Sequence, residues 1–518
     1  MDKKPSQACE AQAMPNTSEP LRWHGHLVPQ LPRGFRDYEA KDLESLKRLL
    51  ETLEQTYRLY GFEALDTPFF EYSDALGKFL PDDDRPNAGV FSCQDDDERW
   101  LSLRYDLTAP LARYMAENRK NLPVINRFYR HGWVFRNEKP GPGRFRQFMQ
   151  CDADIVGISH VTADGEMCLM MCDALEHLGL GADTVVKVSN RKIMDALLDL
   201  LSAQTQHALS AAQRLIVLRA LDKLDRVGLE GVAALLGGGR RDESGDFTPG
   251  AHLPNSAITQ ALEFLKSRRE TNKETLSALR ALVGDHPSGR DGVDELEIIL
   301  AFVGSTREAF SHRVVCDPTV VRGLDYYTGP VYEVDFTRTL VDEKGRVTRF
   351  GSIGGGGRYD GLVSRFLRDE ILPATGFSFG VSRLLAALEI IKKESLSPPA
   401  YNGPVMILAL ESDRLAAYAM MAQRLRAEGI PAEVYLGTSG LKAQMKYADR
   451  RRSPCVVIQG ALEREKGIVQ LKDMHAGLEQ AASLSSNEAF RSARVGQISL
   501  PEEQLVKGVK AILEGSSS

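Results

Sequence analysis

The sequence predicts an α+β protein with a separate C-terminal α/β domain, and three features lead there. Residues 125–157 read as two strands around the turn "EKPGPG", and residues 191–311 read as a long helical region. Beyond a linker, short buried-type strands alternate with helical segments. A chain of 518 residues exceeds one ordinary core, and 43% hydrophobic with 26% charged residues is a globular composition.

The elements follow in order. Residues 1–27 lack an apolar signal core and carry Asp2, Glu10 and Glu19, so they read as a disordered tail in which His24 and His26 are solvated. Leu43, Leu46, Leu49, Leu50 and Leu53 at helical spacing predict an amphipathic helix over 40–60. "FEALDTPFFEY" reads as a short strand ending near Pro68, and the acidic stretch 81–99 as a solvated loop. A helix is expected over 161–178. The helical region 191–311 is interrupted at 235–252 by a loop too polar to pack. Strands resume at 313–336 and 346–356, and a helix covers about 381–394. "KKESLSPPAYNGP" is a linker by composition. After it, "VMILAL", "AEVYL" and "CVVIQ" alternate with helices and predict a largely parallel sheet. The domain boundaries are 28–190 with 312–395 for a core, 191–311 for a helical insertion, 396–403 for the linker and 404–518 for the last domain.

Bulk properties exclude several classes. A net charge of −6 gives no global attraction to nucleic acid, so such a partner needs a local basic patch. Seven cysteines without a CxxC pair fit a reducing compartment, and Cys168 with Cys172, one turn apart, read as core packing with no metal site. No apolar run approaches the roughly 20 residues of a membrane span. A cytoplasmic protein is expected.

Four stretches carry chemistry. In "RFYRHGWVFRNEKPGPGRFRQFMQCDADIVG" (127–157), Phe128, Arg130, Gly132, Val134 and Arg136 share one strand face, and Tyr129, His131, Trp133 and Phe135 share the other. A hairpin presenting Arg130 and Arg136, with Arg144, Arg146, Gln150 and Asp154 across the turn, suits a phosphate, because guanidinium pairs it bidentately; a salt-bridged surface hairpin has the same pattern. In "LRYDLTAPLARYM" (103–115) Thr108 is placed to start a helix, whereas nothing local accounts for Asp106. "GSIGGGGRYDGL" (351–362) has four consecutive glycines, which permit close backbone approach or positive φ, but no GK[ST] follows and a turn would look the same. In "GFSFGVSRLL", Arg383 falls in the first turn of a helix, where a cation opposes the helix dipole unless an anion is near. "VVRGLDYYTGPVYEVDF" (320–336) adds Arg322, Asp325, Tyr326 and Tyr327 to an otherwise strand-like run.

These stretches, in this order, resemble class II aminoacyl-tRNA synthetases and, within them, the histidyl-tRNA synthetase family. "FRNEKPGPGRFRQF" is similar to motif 2, "GFSFGVSRLL" to motif 3 and "FEALDTPFFE" to motif 1, the dimer element; "LPRGFRDY" at 31–38 resembles the family's N-terminal opening. "RGLDYYTGPVYE" and "GSIGGGGRYDGL" resemble the two histidine-specific signatures, and "LKAQMKYADRRRSPCVVIQGALEREKGIVQLKDM" resembles the anticodon-binding domain. The resemblance implies a six- or seven-stranded antiparallel catalytic sheet flanked by helices, a helical insertion domain and an α/β anticodon-binding domain.

It also implies a reaction: L-histidine and ATP give histidyl-adenylate and pyrophosphate, and histidine then passes to the 3′ end of its tRNA. Arg136 matches the motif 2 arginine on the α-phosphate, Arg322 a second arginine reaching that phosphate and the histidine carboxylate, and Arg383 the motif 3 arginine at the ATP end. Mg²⁺ is expected with the β- and γ-phosphates and no dedicated metal residues. Asp154 matches the acceptor for one imidazole nitrogen, with Tyr326 or Tyr327 at the other. Asp106 and Thr108 match positions at the α-amino group, with Leu107 between them in the same substrate-binding stretch, and Gln150 matches a position beside the carboxylate. Lys442, Lys446 and Arg450 fall on one helical face, which alone reads as solvated and in this domain implies tRNA contact. A homodimer follows from motif 1. The competing reading is the synthetase-like regulatory subunit of ATP phosphoribosyltransferase, which typically lacks the anticodon-binding domain and parts of these motifs.

Overall fold

The helix predicted over 40–60 forms as α1 (Ala40–Leu59), with Leu46, Leu49, Leu50, Leu53 and Tyr57 buried on one face, while Leu43 is 48% exposed and lies off the stripe. The structure is a computed structural model that describes residues 22–23, 26–27, 29–77, 89–139, 145–205, 207–241, 245–321, 326–337, 340–341, 347–348, 351–367, 370–392, 403–474 and 496–515. Arg322, Asp325, Arg144, His24 and nearly all of the expected tail and linker lie outside the described residues. The chain divides into two compact units, 1–391 and 392–518.

In the first unit an eight-stranded sheet collects β1 (Glu63–Ala64), β2 (Asn126–Phe135), β3 (Gln147–Val156), β4 (Thr184–Asn190), β5 (Val314–Cys316), β6 (Pro330–Phe336), β7 (Gly354–Arg358) and β8 (Ala374–Gly380). Their spatial order is β5-β4-β6-β7-β8-β3-β2-β1. The six inner strands pair antiparallel throughout, and a short strand adds in parallel at each edge, β5 on β4 and β1 on β2. The short strand expected to end near Pro68 is β1, which joins the large sheet, and beyond Pro68 a further strand, Phe70–Tyr72, joins a separate three-stranded sheet with Ser92–Gln94 and Trp100–Leu103. Pro68 lies between them and lacks the N–H a continuous ladder needs.

Strand β3 shows why the sheet has two purposes. Met149, Cys151, Ala153 and Ile155 point into the apolar core formed with α1 and α3 (Thr162–His177), and Gln150, Asp152 and Asp154 occupy the other face. Six α-helices between Arg191 and Thr306 bury Leu197, Leu218, Phe264 and Leu296 in that same apolar cluster, so the helical segment and the sheet share one core. The polar stretch 235–252, expected as a loop, contains a two-stranded ribbon, Gly239–Arg241 with Phe247–Pro249.

The glycine run is a buried inner strand, β7, and none of Gly354 to Gly357 has positive φ. Its glycines serve close approach: a Cβ at Gly356 would sit 2.0 Å from the Gly376 carbonyl oxygen. The second unit holds a five-stranded sheet of β9 (Val405–Ile407), β10 (Ala432–Val434), β11 (Cys455–Ile458), β12 (Ile468–Asp473) and β13 (Gln497–Pro501) in the order β10-β9-β11-β12-β13. The three strands expected from the alternation, β9, β10 and β11, pair parallel, and the whole sheet is mixed because β12 and β13 add antiparallel beside β11.

Gly356→Ala should lower stability by about 1–3 kcal/mol, the usual range for overpacking. Gly361→Ala, where nothing lies within 4 Å of the added Cβ, should change it by less than about 0.5 kcal/mol. Urea midpoints of the two variants check this.

Candidate active site

The polar row of β3 is buried, and its neighbours satisfy most of it. Asp154 is paired with Arg130 of β2 and accepts from the Tyr359 hydroxyl just after β7. Room for its carboxylate comes from Gly376 on β8, where a Cβ would meet Asp154 Oδ1 at 1.9 Å. Gln150 Nε2 donates to Ser378 Oγ at 2.6 Å. Asp152 lies opposite Arg130 on one side and Ser378 on the other. Three side chains keep four buried atoms without a hydrogen-bond partner: Gln150 Oε1, Asp152 Oδ1 and, on Arg130, Nε and Nη1. Buried polar atoms left in this way are expensive, and they mark the row as more than packing.

Burial pushes the Asp152 carboxyl up to about 7; Asp154 and Asp106 push it the same way, while Arg130 and the Ser378 hydroxyl oppose. Burial also raises the carboxyl of Asp106, against two backbone N–H groups and the nearby guanidiniums of Arg136 and Arg130. Those N–H groups belong to Thr108 and Ala109, at 3.1 and 2.9 Å from Asp106 Oδ1, at the start of α2 (Thr108–Asn118). The helix-capping side chain is therefore Asp106, and Thr108, expected to cap, is the first helical residue.

The other expected residues gather around this floor. Tyr326 and Tyr327, half-buried before β6, place their rings 4.6 Å apart, and Tyr326 meets the Tyr359 ring edge-on at 6.2 Å. Burial, then Tyr327 and Asp106, raise the Tyr326 phenol, and Arg136 acts on it in the opposite direction. Arg136, at the end of β2, holds its guanidinium 4.3 Å from the Tyr105 ring and 5.0 Å from the Phe148 ring. Arg383 lies in the first turn of α4 (Val381–Lys392), beside Gly380, which pairs with Gln150; its Nη1 donates to the Ser352 carbonyl at 2.8 Å. That carbonyl supplies the electron-rich partner the helix start lacks. Leu107 is different: its side chain is 1% exposed and packs in the interior. Arg322 lies outside the described residues.

One reading of the hairpin is corrected. Arg130 does not present an open cationic face, because it is buried against Asp154. Sequence reasoning passed over Arg104, Asp152, Tyr359 and Gly376. Arg104 is buried and donates to the carbonyls of Trp133 (2.8 Å) and Thr67 (2.7 Å), holding the segment before Asp106 against β2. The two-residue spacing of Gln150, Asp152 and Asp154 was a signal that could have found Asp152.

In the second unit Lys442, Lys446 and Arg450 are exposed on α5 (Leu441–Arg450), and among the described residues none pairs with a carboxylate. The next basic residue, Arg451, is held by Glu433 at 2.9 Å.

An antiparallel sheet with arginine and carboxylate groups on its polar face, joined to an α/β domain, defines a class II aminoacyl-tRNA synthetase. The family model for histidyl-tRNA synthetase matches residues 34–384 and that for the anticodon binding domain matches 404–491, and the chain belongs to the histidyl-tRNA synthetase family. It is 54% identical over 496 residues to the histidine–tRNA ligase of Brucella ovis, covering 95% of this chain and 97% of the relative. The Bartonella henselae ligase is 54% identical over 487 residues, 93% of this chain and 97% of the relative. Among solved structures, histidyl-tRNA synthetase from Nostoc sp. PCC 7120 superposes with a TM-score of 0.67 at 25% identity, covering 94% of this chain and 100% of that one. An ATP phosphoribosyltransferase regulatory subunit/histidyl-tRNA synthetase from Bacillus halodurans shares the fold at a TM-score of 0.61 and 22% identity, over 81% and 96% of the two chains.

Asp152 favours the folded state when protonated, since its folded pKa of about 7 exceeds the unfolded 3.8. That contribution is fully present below about pH 4 and is lost as the pH rises through about 7. Asp152→Asn should therefore gain stability relative to the parent chain over this window, by up to about 4 kcal/mol. Urea unfolding of both chains across the window measures the difference, which should be near constant if Asp152 does not titrate there.

Proposed function

We propose that the chain is a histidine–tRNA ligase: it activates L-histidine with ATP and transfers the histidyl group to the 3′ end of its tRNA. In the first step a histidine carboxylate oxygen attacks the α-phosphorus, the new acyl–phosphate bond forms, and the bond to the β-phosphate oxygen breaks with release of pyrophosphate. The carboxylate is already ionised at neutral pH, so this step needs alignment and positive charge rather than a general base. The single observation that carries the reading is the convergence of Asp106, Arg136, Gln150, Asp154, Tyr326 and Tyr327 on the polar face of one sheet.

In this reading Arg136 and Arg322 grip the α-phosphate, Arg322 also the histidine carboxylate, and Arg383 the far end of ATP. Asp154 accepts from one imidazole nitrogen while Tyr326 or Tyr327 serves the other. Two of the Asp154 lone pairs are engaged by Arg130 and Tyr359, which fixes the carboxylate and leaves acceptor capacity. A pocket that bonds both ring nitrogens disfavours side chains lacking them by a factor of about 10⁴. Asp106 and Thr108 hold the α-amino group, with Gln150 beside the carboxylate. The acids present do not fit a resident metal cage: Asp106 accepts backbone N–H groups and Asp154 is ion-paired. Mg²⁺ therefore belongs with the ATP phosphates, where it keeps most of its waters.

The ligase acts as a cytoplasmic homodimer. Phe69 and Phe70 of the motif 1-like stretch and Tyr72 just after it are 49%, 46% and 43% exposed, an apolar surface that fits coverage by a second copy. No helix among the described residues is long and apolar enough to cross a membrane. The regulatory-subunit alternative is disfavoured by the anticodon binding domain at 404–491.

Histidine-dependent exchange of pyrophosphate into ATP tests the proposal, and a folded protein without such exchange would refute it. On the second unit, neutralising Lys442, Lys446 and Arg450 together should weaken tRNA binding and reduce the slope of log K against log salt by about 2 to 3. An unchanged slope assigns the three residues to solvent.

A further inference from the structure

The arginines of the first unit divide by what holds them. Arg130 is tied to Asp154, Arg358 to Asp164, and Arg113 to Glu71. Arg104 is held by the carbonyls of Trp133 and Thr67 and by Asp66. Arg136 is held differently. Among the described residues no carboxylate lies within ion-pair distance of it; Asp106 acts on it only through space. Its guanidinium carbon is 4.3 Å from the Tyr105 ring centroid, and its Nε reaches the Tyr105 carbonyl at a long 3.4 Å. An arginine that must take an anionic substrate gains from such a mount. A carboxylate would neutralise it and occupy its N–H groups, whereas an aromatic face orients the plane and leaves charge and donors available.

We propose that Tyr105 is a positioning residue for nucleotide activation, its ring face setting the plane of the Arg136 guanidinium toward the α-phosphate. The inference rests on the reading of Arg136 as the phosphate arginine. The placement of Tyr105 is itself firm. Its neighbour Arg104 is buried, the Arg104 N–H donates to the Phe69 carbonyl at 2.7 Å, and the Phe135 N–H donates to the Arg104 carbonyl at 3.0 Å. The residue on its other side, Asp106, caps α2. The ring is thus pinned through the backbone on both sides, directly beside the end of β2 that carries Arg136. The ring face, and not the hydroxyl, is the working part, so the role predicts an order of substituents that a packing role does not.

The experiment is histidine-dependent pyrophosphate exchange by the full chain, with kcat and both KM values measured. Tyr105→Phe should keep exchange within about twofold. Tyr105→Leu should lower kcat/KM for ATP by about tenfold, with the KM for histidine changed less than twofold. Phenylalanines of increasing fluorination at 105 keep volume while draining the ring face, and should lower exchange stepwise, by about tenfold across the series. They also decide the matter if the leucine variant does not fold. A flat fluorination series, or leucine equal to phenylalanine, overturns the inference. Arg136→Ala runs in parallel: loss of exchange there with a flat series removes Tyr105 alone, and retained exchange removes the reading of Arg136 on which it rests.

Discussion

The architecture depends on one strand having to face two incompatible environments. Alternate residues of β3 bury Met149, Cys151, Ala153 and Ile155 against α1 and α3, while Gln150, Asp152 and Asp154 are buried on the opposite side. Polar groups without water cost folding free energy unless something nearby bonds them. The neighbours are selected accordingly: Arg130 from β2, Ser378 and the side-chain-free Gly376 from β8, and the Tyr359 hydroxyl beyond β7. Much of the surrounding sequence can be understood as the surroundings that this row requires.

A second buried network steadies the strand that supplies Tyr359. Asp164 on α3 pairs with Arg358 and accepts from the hydroxyls of Tyr332 and Thr375, so β6, β7 and β8 are all tied to one helix. The Arg358 carbonyl in turn accepts from the Thr328 N–H at 2.8 Å, one residue after Tyr327. Breaking one partner of such a buried pair leaves an uncompensated charge, which is why these contacts fix geometry more than they add stability. Rigid mounting of this kind favours discrimination between similar side chains, since a pocket that yields can accommodate the wrong one.

What could be read from residues alone divides along physical lines. The hairpin was legible because Pro and Gly force a turn and the strands alternate cleanly; α1 was legible from its leucine spacing, although Leu43 shows that a helical period does not fix the width of the buried stripe. The resemblance located Asp106, Arg136, Gln150, Asp154 and the two tyrosines, which the fold brings onto one face. Pairings across the sheet were not legible. That Arg130 belongs to Asp154 depends on the exact register of the hairpin, and that Gly376 is empty for a carboxylate depends on register between strands more than two hundred residues apart; no local pattern encodes either. In the second unit the three strands read from the sequence pair parallel, but β12 returns antiparallel beside β11 after only the short helix Ala461–Glu465, a direction that strand and helix alternation does not give.

The order of the strands has a consequence for the chain while it is being made. Residues 126–156 leave the ribosome as a hairpin long before β7 and β8, and in the interval one long edge and the acidic row lack the strands that finally cover them. At ordinary translation speeds of about 5–20 residues per second, that interval lasts on the order of ten seconds or more. A nascent chain of this kind is a natural client for chaperones, because its polar row is covered only after the last strand of the large sheet has emerged.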